Sequence, residues 1–265
     1  MKLLTLNCHS WQEENQIEKI KYLAKVIKDK KYDVIALQEV NQSMDSDIVF
    51  NNIREDNYAM ILINQIKKLG GEEYNFVWDF SHIGYGKYEE GSAILTKYEI
   101  LESESFYITK NKCIDFWKSR KIVKAVVRVN NKNIDFYSCH IGWWNDKDED
   151  FKNQINELYK SVKEGNEISI LMGDFNSNAL IREEGYDFVK GKGLVDTYDL
   201  AKLKDSGITV KGKIDGWDDN TEELRMDIIF TNKSMSVLES KVIFNDINKM
   251  IVSDHYGLEV LIDNP

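Results

Sequence analysis

The sequence predicts a four-layer α/β sandwich, two packed mixed β-sheets with helices on their outer faces. Three observations predict it. Strand-like apolar runs recur along the whole chain. Apolar residues at helical spacing are concentrated in the first two thirds. Residues 121–141 read as an antiparallel hairpin, which argues against a doubly wound parallel sheet.

The first strand is Leu3-Leu4-Thr5-Leu6-Asn7, an apolar run closed by an amide. Ser10-Trp11-Gln12-Glu13 has the form of a capping box, and Ile17, Ile20, Leu23, Ala24 and Ile27 follow at helical spacing. A strand over 33–40 ends in Gln38-Glu39. A second helix over about 56–69 carries Tyr58, Ile61, Leu62, Ile66 and Leu69 and stops at Gly70-Gly71. Residues 91–97 and 121–129 read as strands, and Asn130-Asn131 marks a turn before strand 133–141. Phe151, Ile155, Leu158 and Val162 mark a third helix. Strands follow at 168–173, 226–231, 237–244 and 256–262.

The only proline is Pro265, so no proline-rich linker divides the 265 residues. No repeat or low-complexity segment is visible, and one domain over 1–265 is expected. Apolar residues make up 42%, enough for a substantial core. The 35 Lys and Arg against 45 Asp and Glu leave a net charge of −10. No basic footprint for a long polyanion is present at the level of the whole chain. Met1-Lys2 leads straight into a strand with no signal-peptide pattern, and no run approaches the roughly 20 apolar residues of a membrane helix. Cys8, Cys113 and Cys139 lack metal-ligand spacing and cannot all pair, so reduced thiols in the cytoplasm are expected. A monomer is expected as well.

The chemistry-bearing residues cluster at strand ends. Asn7, Glu39 and His140 close three predicted strands. Gly173-Asp174-Phe175-Asn176 follows the run Ile168–Met172, and Arg225-Met226-Asp227 and Ser253-Asp254-His255 flank two more strands. Each alone has a plain structural reading: a Gly-Asp turn, a solvated carboxylate, a core histidine, a helix cap. Together they offer oxygen ligands, which suit Mg²⁺ or Mn²⁺ beside a phosphate ester, and histidines that titrate near neutrality.

In this order, with Gly91-Ser92-Ala93-Ile94-Leu95 and Ser138-Cys139-His140 included, the motifs resemble those of the endonuclease/exonuclease/phosphatase superfamily, which includes DNase I-like, exonuclease III-like and neutral sphingomyelinase-like enzymes. The resemblance spans nearly the whole chain and is specific for fold and chemistry, not for substrate. It implies a DNase I-like sandwich and a divalent-metal-dependent phosphodiesterase. Glu39 would be the main metal ligand, with Asn7 and Asp254 nearby. Asp174 and Asn176 would orient water and phosphate. His255, supported by Asp227, would bind phosphate or act as base, and Asp174 is the other candidate base. His140 would stabilise phosphoryl oxygens or assist the leaving group. Glu90 would orient His140, although Glu89 adjoins it. Arg120 is either a phosphate contact or a solvated side chain, and Arg225 a structural ion-pair partner.

Trp143 and Trp144 follow His140, ahead of the acidic stretch 145–150. They read either as a substrate platform or as packing for the loop and helix, and Trp11 and Trp217 are similarly open. The charge disfavours a nuclease of the exonuclease III or DNase I type, although nucleic acid stays possible. A small or headgroup-type phosphodiester is favoured. A non-catalytic binding protein on this scaffold is disfavoured, because every motif position holds a competent residue.

Overall fold

The computed structural model describes residues 1–263. Pro265, the chain's single proline, lies outside the described residues. The chain runs β1 (Lys2–Asn7), α1 (Gln16–Lys30), β2 (Val34–Ser43), β3 (Ile48–Phe50), β4 (Ile53–Arg54), α2 (Tyr58–Lys68), β5 (Asn75–Gly84), β6 (Tyr88–Thr96), β7 (Ile100–Tyr107), β8 (Lys121–Val129), β9 (Lys132–His140), α3 (Phe151–Glu164) and β10 (Ile168–Asp174). It continues with α4 (Gly185–Lys190), β11 (Val195–Asp196), α5 (Thr197–Leu200), β12 (Leu203–Lys204), β13 (Val210–Lys211), β14 (Glu223–Leu224), β15 (Asp227–Thr231), β16 (Val237–Ile243) and β17 (Gly257–Ile262).

Two sheets carry the fold, in the orders β12-β16-β17-β1-β2-β6-β5 and β11-β15-β10-β9-β8-β7. Both are mixed: β1–β2 and β9–β10 pair in parallel, while β1–β17, β2–β6, β8–β9 and β10–β15 are antiparallel. The alternation along each strand builds the layers. Leu3, Val34 and Ala36 face the inter-sheet core with Phe136, Ile170, Met172 and Ile229. Leu4, Leu6, Ile35 and Leu37 point the other way, beneath Ile20, Leu23 and Ile27 of α1 and Leu62 and Ile66 of α2. On the opposite flank, Tyr137, Cys139 and Leu171 meet Phe151, Ile155 and Leu158 of α3. Central strands buried on both faces read as continuous apolar runs, which made them visible in the sequence. Truncating Phe136, fully buried between the sheets, to Ala costs about 3–5 kcal/mol.

The 121–141 hairpin is present, and Asn130 and Asn131 at its turn both have positive φ, as a type I′ turn requires. The capping box is absent. Helix α1 starts at Gln16 behind Asn15, which makes no side-chain cap. Ser10 instead donates to the Glu39 carbonyl at 2.6 Å and accepts from the Asn41 amide at 2.7 Å. Glu13 is drawn away to His9 Nδ1 at 2.8 Å and to Lys19. The segment clamps the end of β1 to β2, a tertiary use that outcompetes local capping. Strand β7 escaped the sequence reading because its middle, Glu102–Ser105, is exposed and carries no apolar alternation. Arg225 is the expected ion-pair partner, 2.5 Å from Asp196 and 5% exposed.

Candidate active site

The ends of β1, β9 and β10 and the middle of β2 meet at one cavity of about 410 Å³, lined by Glu39, His140, Asp174, Asn176 and His255 among others. The expected strand over 33–40 continues as β2 to Ser43, so Glu39 does not close it. Glu39 reaches the cavity through a β-bulge. The β2–β6 register shifts between Leu37 and Val40, and Glu39 takes a positive φ of 50° there. Such a bulge re-aims one side chain without ending the strand. Gln38, its neighbour, ties the sheets together instead: it accepts from Thr5 and donates to Ser138 Oγ at 2.9 Å. Gly173 lies so close to β9 that a Cβ there would stand 1.9 Å from the Cys139 carbonyl oxygen. That approach carries the following Asp174 into register with His140.

Asn7 Nδ2 donates to Glu39 Oε1 at 2.8 Å and to Asp174 Oδ2 at 3.3 Å. His140 Nε2 stands 3.8 Å from both Glu39 Oε1 and Asp174 Oδ2. His255 Nδ1 bonds Asp227 Oδ2 at 2.9 Å, and its Nε2 lies 3.9 Å from Asp174 Oδ2. Asn176 donates to the Ile141 carbonyl, and its Oδ1 accepts from Trp217 Nε1 at 2.9 Å.

These contacts separate the titrations. Burial, with the charges of Glu90 and Asp254, pushes the Glu39 carboxyl up to about 8. Burial raises Asp174 to about 6 against the opposing charge of His255. Burial and the nearby Arg120, His82 and His255 charges hold His140 well below the usual histidine range. Burial also works against a charged His255, but Asp227 and Asp174 outweigh it and hold that ring well above the usual range.

The donor set fits a hard divalent cation. Glu39 is a raised carboxylate whose side-chain hydrogen bond comes from an amide, and Asp227 Oδ1 is buried with no partner among the described residues. Asn7 meets Glu39 through its amide nitrogen. The Asp254 charge acts on Glu39, and Asp254 also engages the neighbouring loops. Its backbone N–H donates to Glu13 at 3.1 Å, its carboxylate accepts from the Asp215 amide, and it sits 3.7 Å from His9 Nδ1. Among the described residues, His9, Glu13 and Asp254 form one group close enough to hold an ion, and the buried Asp174, Asp227 and His255 form another.

Glu90 pairs with His82 and not with His140, which it was expected to orient. It faces His82, its cross-strand partner in β5, with Nε2 3.3 Å from Oε1, and makes no hydrogen bond to His140. Adjacency across the β5–β6 ladder decides the pairing. Arg120 is not solvated: it is buried and lines the cavity beside Trp143, 5.9 Å from its ring. The two tryptophans divide. Trp143 lines the cavity, whereas Trp144 packs edge-on against Phe151 at 5.4 Å and near Phe188. Trp11 is structural, hydrogen-bonded to the Asn41 and Asp56 carbonyls.

Sequence reasoning missed His9, His82, Tyr85, Trp117 and Asp215. His9 carried a usable signal: it lies two residues past Asn7 and four before Glu13, at the spacing that brought the two together. The others sit on β5 or on loops, and their placement depends on partners distant in the chain. Tyr85 hydrogen-bonds Asp215, and Trp117 packs edge-on against Trp143 at 5.7 Å.

A model of the Endonuclease/Exonuclease/phosphatase family matches residues 6–255. Among solved structures, an endonuclease/exonuclease/phosphatase family protein from Leptotrichia buccalis C-1013-b is 46% identical over 99% of both chains, with a TM-score of 0.93. A mannosyl-6-phosphatase from Bacteroides thetaiotaomicron VPI-5482 shares the fold at 17% identity, 99% coverage of both chains and a TM-score of 0.71. So does TDP2 of D. rerio, complexed with a single-strand DNA product, at 16% identity, 100% and 99% coverage and 0.68. No curated protein matches the chain.

Proposed function

The chain belongs to the endonuclease/exonuclease/phosphatase family, and from that premise we propose that it is a metal-dependent phosphoesterase that cleaves a small phosphate ester by in-line attack of water. The observation that carries the reading is the meeting of Glu39 and Asp174 at His140, each 3.8 Å from its Nε2, at the wall of one cavity.

Glu39, with Asn7, would hold Mg²⁺ or Mn²⁺. When bound, such an ion supplies charge against a non-bridging phosphoryl oxygen. Asp174, raised to about 6, is a carboxylate at neutral pH yet basic enough to accept a proton from water, and Asn176 orients it. His255 is the better cation than base. Asp227 holds it protonated, so Nε2 is a donor for a phosphoryl oxygen. His140, held neutral, contributes a hydrogen bond where charge develops.

A cavity of about 410 Å³ suits a compact ester or a headgroup better than a duplex, and the −10 net charge repels a long polyanion. One protein of similar fold is named a mannosyl-6-phosphatase, which supports a small substrate; another binds DNA, which keeps the nuclease reading in the test. The test is a panel of DNA, RNA, sphingomyelin, nucleotides, sugar phosphates and nitrophenyl esters with Mg²⁺ or Mn²⁺. Turnover of small esters, lost in EDTA, supports the reading. Full activity in EDTA, or duplex DNA as the best substrate, sinks it.

A further inference from the structure

Arg120 has an environment that the chain itself does not complete. Its residue is 4% exposed, yet no carboxylate pairs with it among the described residues. Nη1 donates to the carbonyls of Trp117 at 2.7 Å and Ser119 at 3.3 Å, while Nε is buried without an acceptor. Glu90, whose charge acts on Arg120 most strongly, commits its carboxylate to His82. Beside the guanidinium, Trp143 Nε1 is a second buried donor with no acceptor. Both residues line the cavity that holds Glu39, Asp174 and His255.

Buried donors without acceptors are costly, and a buried cation without a direct ion pair more so. A ligand bearing anionic oxygen would satisfy both. The phosphorus centre already has His255 and the cation site at Glu39 to meet the single charge of a diester. Arg120 adds capacity for one more negative charge on the same cavity wall. A phosphomonoester carries that charge above pH about 6, and a diester does not.

We propose that Arg120 and the Trp143 indole hold the second anionic oxygen of a phosphomonoester, so that this centre prefers monoesters to diesters. This rests on the phosphoesterase reading above. Arginine suits the task because its fork gives directed, charge-assisted hydrogen bonds to phosphoryl oxygen.

The experiment compares kcat/KM for p-nitrophenyl phosphate and bis-p-nitrophenyl phosphate, which share a leaving group, in the unsubstituted protein and in Arg120→Gln, Arg120→Lys and Trp143→Phe. Arg120→Gln is expected to lower the monoester-to-diester ratio by about 30-fold, the scale of one charge-assisted hydrogen bond. Arg120→Lys should restore part of it, and Trp143→Phe should lower it by about threefold. Melting curves separate these effects from loss of fold. A ratio unchanged in Arg120→Gln, with both rates falling together, would overturn the proposal. Titration with inorganic phosphate gives a readout that needs no turnover. Affinity about 30-fold weaker in Arg120→Gln supports the subsite, and equal affinity overturns it. Should the unsubstituted protein bind phosphate through Arg120 yet hydrolyse neither ester, the subsite stands and the hydrolytic reading falls.

Discussion

The floor and the rim of the cavity are built by different means. The floor is made of strand residues: Asn7, His140 and Asp174 end β1, β9 and β10, Glu39 sits at the bulge inside β2, and hydrogen bonds from Asn7 tie Glu39 to Asp174. The rim is made of loops that meet one another over the floor. Tyr85 bonds Asp215, Trp117 packs on Trp143, and Trp217 reaches down to Asn176. Residues on the floor are held by packed sheets and cannot move independently. Rim residues such as Tyr85, Trp117 and Asp215 are exposed and held by few contacts. The difference assigns chemistry to the floor and discrimination to the rim, so substitutions in the two should fail differently.

The largest effect is expected at Glu39. Glu39→Gln keeps the shape and removes the charge, so kcat/KM should fall by about 10³-fold or more while the fold persists. A variant with undiminished turnover would move the metal elsewhere, with His9, Glu13 and Asp254 as the next site to test. Next comes the His255–Asp227 pair. Asp227→Asn removes the group that holds His255 charged, and kcat should drop by about 10²-fold with little change in KM. A loss confined to KM would make the pair a binding element only.

Metal binding should sharpen the same contrast through pH. The Glu39 carboxyl is raised from 4.5 to about 8 in the metal-free chain. Folding therefore favours its protonated form, and the stability tied to it is lost as pH rises through about 8. A metal ion must displace that proton, so affinity should rise with pH up to about 8 and level off above it, with proton release on binding. Added Mg²⁺ should also raise the melting temperature more at pH 8 than at pH 6. Calorimetry in buffers of different ionisation heat checks the proton; pH-independent affinity would remove Glu39 from the coordination set.

The smallest effect is expected at the rim. Tyr85→Phe deletes the hydroxyl bonded to Asp215 but keeps the ring. KM should change by a few-fold and stability by less than about 0.5 kcal/mol, as for other exposed positions. A kcat loss comparable to that of Asp227→Asn would erase the distinction between floor and rim.

Legibility in the sequence follows the same division. Asn7, Glu39, His140 and Asp174 were found because each follows an apolar run, and a strand buried on both faces announces itself by composition. The partner of Glu90 was misread because sheet register, not chain order, brings His82 opposite it. The role of Ser10 was misread because the capping pattern is local and the bond to Glu39 is not. Trp143 and Trp144 are adjacent and chemically identical, yet one lines the cavity and the other packs under α3 and α4.

By itself, the sequence determined the layered α/β architecture and the residues offered at the ends of apolar runs, because hydrophobic periodicity and turn chemistry act over a few neighbouring positions. Only the tertiary structure decided the bulge that turns Glu39 into the cavity, the pairing of Glu90 with His82, and the burial of Arg120 without a direct ion pair among the described residues. Those depend on register, on contacts between loops and on the dielectric of a shared interior, and none of them is a property of any short stretch of chain.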